Sequence, residues 1–513
     1  MIGDATLRLA DCCAIAVYLL AMAAIGVYFA RKKKTAEDYF VGNRAFPGWA
    51  VGLSMFATSI SSVTFLAFPG AAFILDWRQV VQNLTLPVIT VLAVLVFIPF
   101  FRRGRATSAY EYLEERFGPL LRLYGALHFI LLQFVRLGTV LYLVSIPVQI
   151  LTGTSIIWVI VIVGLVVSFY TILGGLEAVI WIDVVQGMVL VIGAVLPLFF
   201  ILFWLPGGLT QIVRIGIEHH KFSLGPMTWD LGERTFPVMV LIGLLNWTTE
   251  YTTNQNVIQR YLAASSLGEA RKATVICAAM SLPIWVFFFF VGTSLFVYYR
   301  VFPDPGIERI LAEQRTDWIF PYFILSRMPA GVAGLVIAGL LAATMSLDSS
   351  INSVATVTTI DIIKRHIRPG RSDAFYLRMG KITSLGAAVA MIGGAIAIAC
   401  LPKESMVDLG LKIAQIVLGG GLAGVFLLGF LTTRVNYAAA SVALVWTILL
   451  DVYLALSSFG WLPDGICVRV HAYWVGVITN AFVVIAGYAL SWIVRGSPRR
   501  LDGLTIWTMR RPL

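Results

Sequence analysis

The sequence predicts an all-α polytopic membrane protein with about 13 transmembrane helices. Three observations carry this expectation. Of 513 residues, 59% are hydrophobic and 13% are charged, about half the charged share of an ordinary soluble chain. Apolar stretches of roughly 20 residues, the length that a hydrocarbon core of about 30 Å demands, recur along most of the chain. The basic residues behind the net charge of +11 gather in short loops between those stretches. That is the pattern of the positive-inside rule, not of a nucleic-acid surface.

The expected spans lie near 10–30, 46–75, 79–101, 120–150, 154–173, 177–205, 235–259, 273–300, 319–360, 375–401, 406–431, 435–457 and 470–494. The first has no basic region before it, so it reads as a retained helix rather than a cleaved signal. Arg31-Lys32-Lys33-Lys34, Arg102-Arg103-Gly104-Arg105, Arg271-Lys272, Lys364-Arg365 and the tail basic residues fall on one side. That side is the expected cytoplasmic face of an inner (plasma) membrane, with the N-terminus outside and the C-terminus inside. The loops 206–234 and 301–318 are then external, with room for short surface helices. The five cysteines, Cys12, Cys13, Cys277, Cys400 and Cys467, are odd in number and show no metal spacing, which argues against a disulfide framework or zinc site.

Two stretches break the apolar pattern. Residues 54–64 carry six hydroxyls in eleven residues, with Gly52 before them and Pro69-Gly70 after. Irregular backbone at membrane depth survives only where it is buried in protein or lines a cavity. The second stretch is Asn246-Trp247-Thr248-Thr249-Glu250-Tyr251-Thr252-Thr253-Asn254-Gln255-Asn256. With the first span set aside, the two fall in the first and sixth of the next ten helices. Matching interrupted helices in two halves point to a five-plus-five inverted-repeat transporter with its site at the repeat interface. The other reading of 246–256, an external or interfacial loop, stays open on pattern alone. The expected division is 1–45 for the extra N-terminal helix and basic loop, 46–205 for the first repeat and 206–234 for an external loop. Residues 235–431 form the second repeat, and 432–513 hold two C-terminal helices and a short tail.

Arg136 sits well inside the span 120–150. An arginine at the centre of a membrane helix costs about 2.5–3.5 kcal/mol, so it is a functional candidate by default. Its planar fork suits a carboxylate of a solute. A salt bridge to an acidic side chain, or bonds to helix carbonyls, would also satisfy it. Thr58, Ser59, Ser61, Ser62 and Thr64 offer hydroxyls to a polyol or sugar acid, and Gln79, Gln82 and Asn83 on the second core helix are plausible partners. Phe56, Phe65 and Trp77 read better as packing or gating residues. In the eighth core helix Ser346, Ser349, Ser350 and Ser353 lie three or four apart and so share one face. Hydroxyls and carbonyls of this kind can hold a monovalent hard cation. They would equally serve close helix packing or bond back to their own backbone.

The stretch Tyr170-Thr171-Ile172-Leu173-Gly174-Gly175-Leu176-Glu177-Ala178-Val179, continuing through Asp183 to Gln186-Gly187, resembles the signature of the sodium:solute symporter family. Further matches are Asp38-Tyr39-Phe40 with Gly42, Ser108 through Phe117, Gln259-Arg260-Tyr261, and Ala342-Ala343 through Asn352-Ser353 to Asp361-Ile362. They run in family order. Phe56-Ala57-Thr58, Ser61-Ser62, Thr64-Phe65, Asp76-Trp77 and Arg136 look most like the bacterial sialic acid symporters.

The resemblance implies a leucine-transporter-like core with discontinuous first and sixth helices, and sodium-coupled uptake. It implies a main sodium site at the carbonyls of Ala57, Ile60 and Ala342 with the Ser346 side chain. The family usually has two adjacent hydroxyl residues there, whereas Leu347 follows Ser346 here. It also implies a possible second sodium site at Asp183, where Asp348 and Ser349 occupy the positions of the matching serines and Ser350 is a further candidate ligand. A structural or gating role for Asp183 is the alternative. In the sialic acid transporters the residue matching Arg136 meets the substrate carboxylate.

The expected function is sodium-coupled import of a sugar acid such as sialic acid by alternating access. The alternatives are a symporter for a neutral sugar or another small carboxylate, or a membrane solute sensor on the same fold. The expected partners are sodium, a small solute and the bilayer, with no nucleic acid and no obligatory protein partner. No zinc motif, nucleophile elbow or phosphate loop is present, and His128, His219, His220, His366 and His471 are scattered. The chain does not read as an enzyme.

Overall fold

The structure, a computed structural model, describes residues 8–31, 35–102, 107–230, 233–400, 420–458, 461–463, 465–468, 472–494 and 501–508. Regular structure among them is helical, with one isolated bridge between Phe46 and Ala264. Nine described helices are long and apolar enough to cross a membrane, or ten when a bent pair is taken as one span.

The N-terminal helix Leu9–Ala30 precedes a short helix, Ala36–Val41, whose start is closed by a capping box between Thr35 and Asp38. The first core helix is the bent pair. Gly48–Ser59 and Val63–Ile74 meet at 58°. The second core helix is Arg78–Phe101 and the third Pro119–Thr152, with the short helix Tyr110–Arg116 between them. The expected fourth and fifth core helices form one 49-residue element, Ile156–Trp204. It breaks at Gly175, whose φ of 59° and ψ of −166° only glycine adopts readily. A Cβ there would also come within 2.7 Å of the Tyr39 ring.

The sixth core helix is Phe236–Thr253 followed by Gln255–Ala263, joined at Asn254, which is extended with φ −79° and ψ 112°. Residues 246–253 are therefore helical, which removes the loop reading. The seventh core helix is Leu267–Val301 and the ninth Asp373–Cys400. The eighth begins later than expected. Ile319–Arg327 is a separate short helix, and Met328 to Gly331 interrupt the chain, with Gly331 at φ +84°. The core helix itself runs through Val332–Ala342, Met345–Val357 and the π-helical Thr358–Ile367. The expected tenth core helix lies partly outside the described residues, and its last part is Leu422–Leu431. Tyr437–Ser458 and Ala472–Ile493 follow. The expected surface helices of the two long loops are Gly208–Glu218 and Pro305–Ala312.

Lipid tails are as apolar as leucine, so helices in a membrane associate through close packing of small residues and through polar contacts. The fifth and eighth core helices show this at Gly193 and Gly339, where a Cβ on either would stand 2.9 Å from the other glycine's Cα. Among the described spans the eighth is the most enclosed: 89% of its most apolar window is buried. On the basic-loop face, Arg122 at the start of the third helix bridges Asp361 at 2.7 Å and Glu114 at 2.8 Å. Arg365 adds a hydrogen bond to Glu114 at 2.8 Å. Burial alone would raise the Glu114 carboxyl, but hydrogen bonds from Arg365 and Arg122 outweigh it and hold that group below the usual range.

Candidate functional site

The break in the first core helix is built locally. Thr58 and Ser59 turn their hydroxyls back onto the helix, to the carbonyls of Ser54 at 2.9 Å and Phe56 at 2.7 Å. Such bonds compete with the helical ladder. Ile60 is extended, with φ −99° and ψ 128°, and its N–H is shared between the carbonyls of Phe56 and Ala57. The carbonyl of Thr58, freed by the break, accepts from Arg136 Nη2 at 3.1 Å.

The sixth helix is treated the same way. Asn254 caps its second half by accepting from the Asn256 N–H at 2.9 Å, and the carbonyl of Thr253 accepts from the Tyr110 hydroxyl at 2.8 Å. Both interruptions are thus covered by side chains of neighbouring helices, as irregular backbone at membrane depth requires.

A buried polar cluster joins the first, fifth, sixth and eighth core helices. Arg260 lies at its centre and is almost fully enclosed. Its Nη2 meets Asp183 Oδ2 at 2.9 Å and Ser349 Oγ at 2.6 Å, and its Nε meets Ser54 Oγ at 2.8 Å. Ser54 in turn donates to Asp183 Oδ2 at 2.5 Å. Thr58 Oγ1 and Ser349 Oγ are 3.1 Å apart. Asp348 Oδ1 accepts from the Ser349 N–H at 2.7 Å. Among the described residues the second oxygen of each carboxylate, Asp183 Oδ1 and Asp348 Oδ2, is buried without a hydrogen-bond partner.

The guanidinium therefore pairs with Asp183 alone among the described carboxylates, while Asp348 joins the cluster through the Ser349 N–H. The set carries a net negative charge when both are ionised, and two oxygens stay free for a cation or a proton. Ser350 does not join it. Its hydroxyl accepts from Asn256 on the sixth helix at 3.2 Å, because it lies about 100° round the helix from Ser349. Ser353 also leaves the expected group and donates to Gln259 at 2.7 Å.

The residues of the expected main sodium site stand where the eighth helix is irregular. Between its first two pieces the chain tightens: Ala343 and Thr344 donate to Leu340 and Leu341, and Leu347 to Thr344 at 2.7 Å. Ala342 ends the first piece, and Ser346, one turn on, is buried. The Ser346 hydroxyl stands 3.4 Å from the Ala343 carbonyl. Ala57 and Ile60, in the break of the first helix, are fully buried.

The residues expected around the solute are less unified than the hydroxyl count suggested. Thr58 turns to Ser349, and Ser59 to Ser281 of the seventh helix at 2.8 Å. Ser62 donates to the Val140 carbonyl at 3.1 Å, which packs it against the third helix. Those three hydroxyls therefore serve helix contacts. Ser61 is half-buried and Thr64 buried. On the second helix Gln79 and Gln82 are half-buried, while Asn83 is buried and its amide nitrogen has no hydrogen-bond partner among the described residues. Phe65 stacks on Phe320 and tilts against Phe288, and Trp77 donates to Thr293 at 3.0 Å. These contacts agree with a packing role.

Arg136 donates to a helix carbonyl and stands near an acidic side chain without a hydrogen bond to it. Besides the Thr58 carbonyl, it faces Glu250 of the sixth helix, with Nη1 and Oε1 4.0 Å apart. Glu250 Oε2 accepts from Asn254 at 2.8 Å. Glu250, but not Arg136, lines a cavity of about 220 Å³ between the third and sixth helices. Asn246, Thr249, Glu250, Thr253 and Asn254 form its polar wall, with Phe129 and Leu132 opposite. The polar residues recur at helical spacing, so one face of the sixth helix is committed to the cavity.

Sequence reasoning singled out Arg136 but passed over Arg260 and Glu250 as site residues. The same signal would have found them, since each is a charge inside a membrane helix.

Comparison with known proteins adds the following. The model of the sodium:solute symporter family matches residues 39–446. The sodium/sialic acid symporter NanT of Aliivibrio fischeri is 34% identical over 479 residues, covering 93% of this chain and 91% of that protein. The sodium/sialic acid symporter SiaT of Proteus mirabilis is 34% identical over 474 residues, covering 92% of each. A solved structure of a Na+-coupled sialic acid symporter, substrate-bound and outward-open, superposes with a TM-score of 0.87 at 32% identity. That likeness covers 96% of this chain and 98% of the other.

Proposed function

The chain belongs to the sodium:solute symporter family, and from that premise we propose that it imports a sugar acid of the sialic acid type together with sodium. It is a multi-pass membrane protein, a transporter and not an enzyme. Sodium coupling comes with the family, and the choice of solute rests on its sialic acid relatives. The observation that supports a carboxylate solute is Arg136. It sits at the break of the first core helix, a little over a quarter exposed, with one nitrogen on the Thr58 carbonyl and the other not hydrogen-bonded to Glu250.

In this reading the carbonyls of Ala57, Ile60 and Ala342 and the hydroxyl of Ser346 hold the main sodium. They span the first and eighth helices, so the ion fastens one repeat to the other. Asp183, Asp348 and Ser349 hold a second cation, with Arg260 as the fixed counter-charge of Asp183. Ser61, Thr64, Gln79, Gln82 and Asn83 supply polar contacts to the solute. The repeats comprise residues 46–205 and 235–431. The protein lies in the inner membrane, with its basic loops and C-terminus in the cytoplasm, and it needs no protein partner to transport.

Energetics favour two sodium ions for an anionic solute. Each charge moved is worth about 2.3 kcal/mol per 100 mV, and a tenfold sodium gradient adds about 1.4 kcal/mol per ion. One sodium with one anion moves no net charge and gains only the gradient. Two gain about 5 kcal/mol, enough for several thousand-fold accumulation.

A panel of sugar acids, neutral sugars and small carboxylates in a thermal-shift assay tests the choice of solute. N-acetylneuraminate should stabilise the protein, and more so in sodium than in choline. Stabilisation by a neutral sugar alone would overturn the assignment.

A further inference from the structure

The second half of the sixth core helix is fastened by polar bonds. Every residue of Gln255–Ala263 is buried, and Gln255, Asn256, Gln259 and Arg260 among them carry amide or guanidinium groups. Each of the four is bonded to another segment. Gln255 joins the backbone of Thr107 and Ala109 at 2.9 and 2.8 Å, Asn256 reaches Ser350 at 3.2 Å, and Arg260 meets Asp183 and Ser349. Gln259 is the hub towards the eighth helix. Its Oε1 accepts from Ser353 at 2.7 Å, and its Nε2 donates to Asn352 Oδ1 at 2.9 Å and Thr356 Oγ1 at 3.0 Å. The Phe40 carbonyl is a third acceptor for the same nitrogen. Two amide hydrogens thus face three acceptors, so the hold does not depend on any one of them.

Hydrogen bonds between membrane helices are each worth only about threefold in an equilibrium constant. The bonds of Gln259 are all of this neutral kind, so the seam can part and re-form. What moves with it is set by the backbone. Phe46, just ahead of the first core helix, donates to the Ala263 carbonyl at 3.2 Å and accepts from the Ser265 N–H at 2.9 Å. The half Gly48–Ser59 of the first helix is thereby clasped to the half Gln255–Ala263 of the sixth.

We propose that Gln259 is a positioning residue for sodium. It holds these two half-helices, as one body, against the eighth helix, and so fixes Ala57 and Ile60 on one side of the main sodium site relative to Ala342 and Ser346 on the other. This rests on the reading that those four residues hold the ion. The seam and the ion fasten the same two bodies, so each favours the other. With the seam weakened, a smaller fraction of the protein is competent for sodium, and its apparent affinity falls by that fraction.

The test is a sodium titration of the purified full chain, without solute, read by the melting midpoint. Gln259→Leu keeps the volume and removes the bonds. The sodium concentration that gives half of the full stabilisation should rise about fivefold or more, the scale of two or three such bonds. Asn352→Leu should raise it too, and the double variant should rise by less than the product of the two single effects, because they share a bond. Should Gln259→Leu not fold, Asn352→Leu carries the same prediction from the eighth helix. A purely structural Gln259 would lower the midpoint equally at every sodium concentration and leave half-saturation unchanged; that result, or independent effects in the double variant, would overturn the proposal. Ser346→Ala, titrated alongside, reports on the ligand set. An unaltered sodium response there, with a weakened one in Gln259→Leu, would remove that ligand set and leave the dependence of sodium binding on Gln259 standing.

Discussion

Replacing Arg260 by methionine removes the only guanidinium hydrogen-bonded to Asp183 among the described residues and keeps much of the side-chain volume. The structure sets the size of the effect. Arg260 and Asp183 are 2.9 Å apart and almost fully enclosed. At an effective dielectric constant of about 20, unit charges that close attract by about 6 kcal/mol. Desolvation offsets part of this, and breaking one side of a buried pair typically costs about 3–5 kcal/mol. Asp183 then loses its paired counter-charge, and a bound cation becomes its best partner. Raising sodium from well below to a hundredfold above its dissociation constant contributes about 2.7 kcal/mol. In a thermal-shift titration of Arg260→Met, the midpoint should drop steeply at low sodium and climb with added sodium more than in the unaltered protein. A variant as stable as the parent at low sodium would refute the energetic weight given to the pair. A sodium response no steeper than the parent's would refute a cation site at these carboxylates.

Arg136→Ala should lower uptake of a carboxylate solute by tenfold or more, the scale of one lost charge-assisted contact, while sodium still shifts the melting midpoint; unchanged uptake would rule out the carboxylate clamp. Asp183→Asn should lower by about one the charges moved per solute, as read by electrophysiology on proteoliposomes; an unaltered ratio at full activity counts against Asp183 as a cation ligand. The Glu114 carboxyl is held below its usual value by hydrogen bonds from Arg365 and Arg122, which outweigh its burial. Its contribution to stability is therefore complete above the unfolded value of about 4.3 and is lost as pH falls below it. Melting midpoints from pH 7 to 3 should show this loss and show it reduced in Glu114→Gln; parallel curves for the two proteins would contradict it.

Much of the fold was legible because the bilayer restricts the choices. A span must be about 20 apolar residues long, and a break must be polar and sheltered. Thus the hydroxyls of residues 54–64 and the Asn/Thr run of 246–256 marked both interruptions correctly. The start of the eighth helix was misread because Ile319–Arg327 is apolar in its own right, and hydropathy alone does not separate a short apolar helix from a span. The site was harder. A count of hydroxyls says that a stretch is polar, but not which way each hydroxyl turns. Thr58, Ser59 and Ser62 turn to Ser349, Ser281 and the Val140 carbonyl, contacts that depend on how four helices pack. Ser349 and Ser350 differ by one position and face different helices. Arg260 pairs with a residue 77 positions earlier, a long-range meeting with no local trace in sequence.

Uptake of N-acetylneuraminate into sealed proteoliposomes, with an inward sodium gradient or with choline in its place, bears most directly on sodium-coupled import. Sodium should drive accumulation above the external concentration, and a membrane potential negative inside should increase it. Equal uptake in choline, or equilibration without accumulation under a full sodium gradient, would contradict sodium-coupled import.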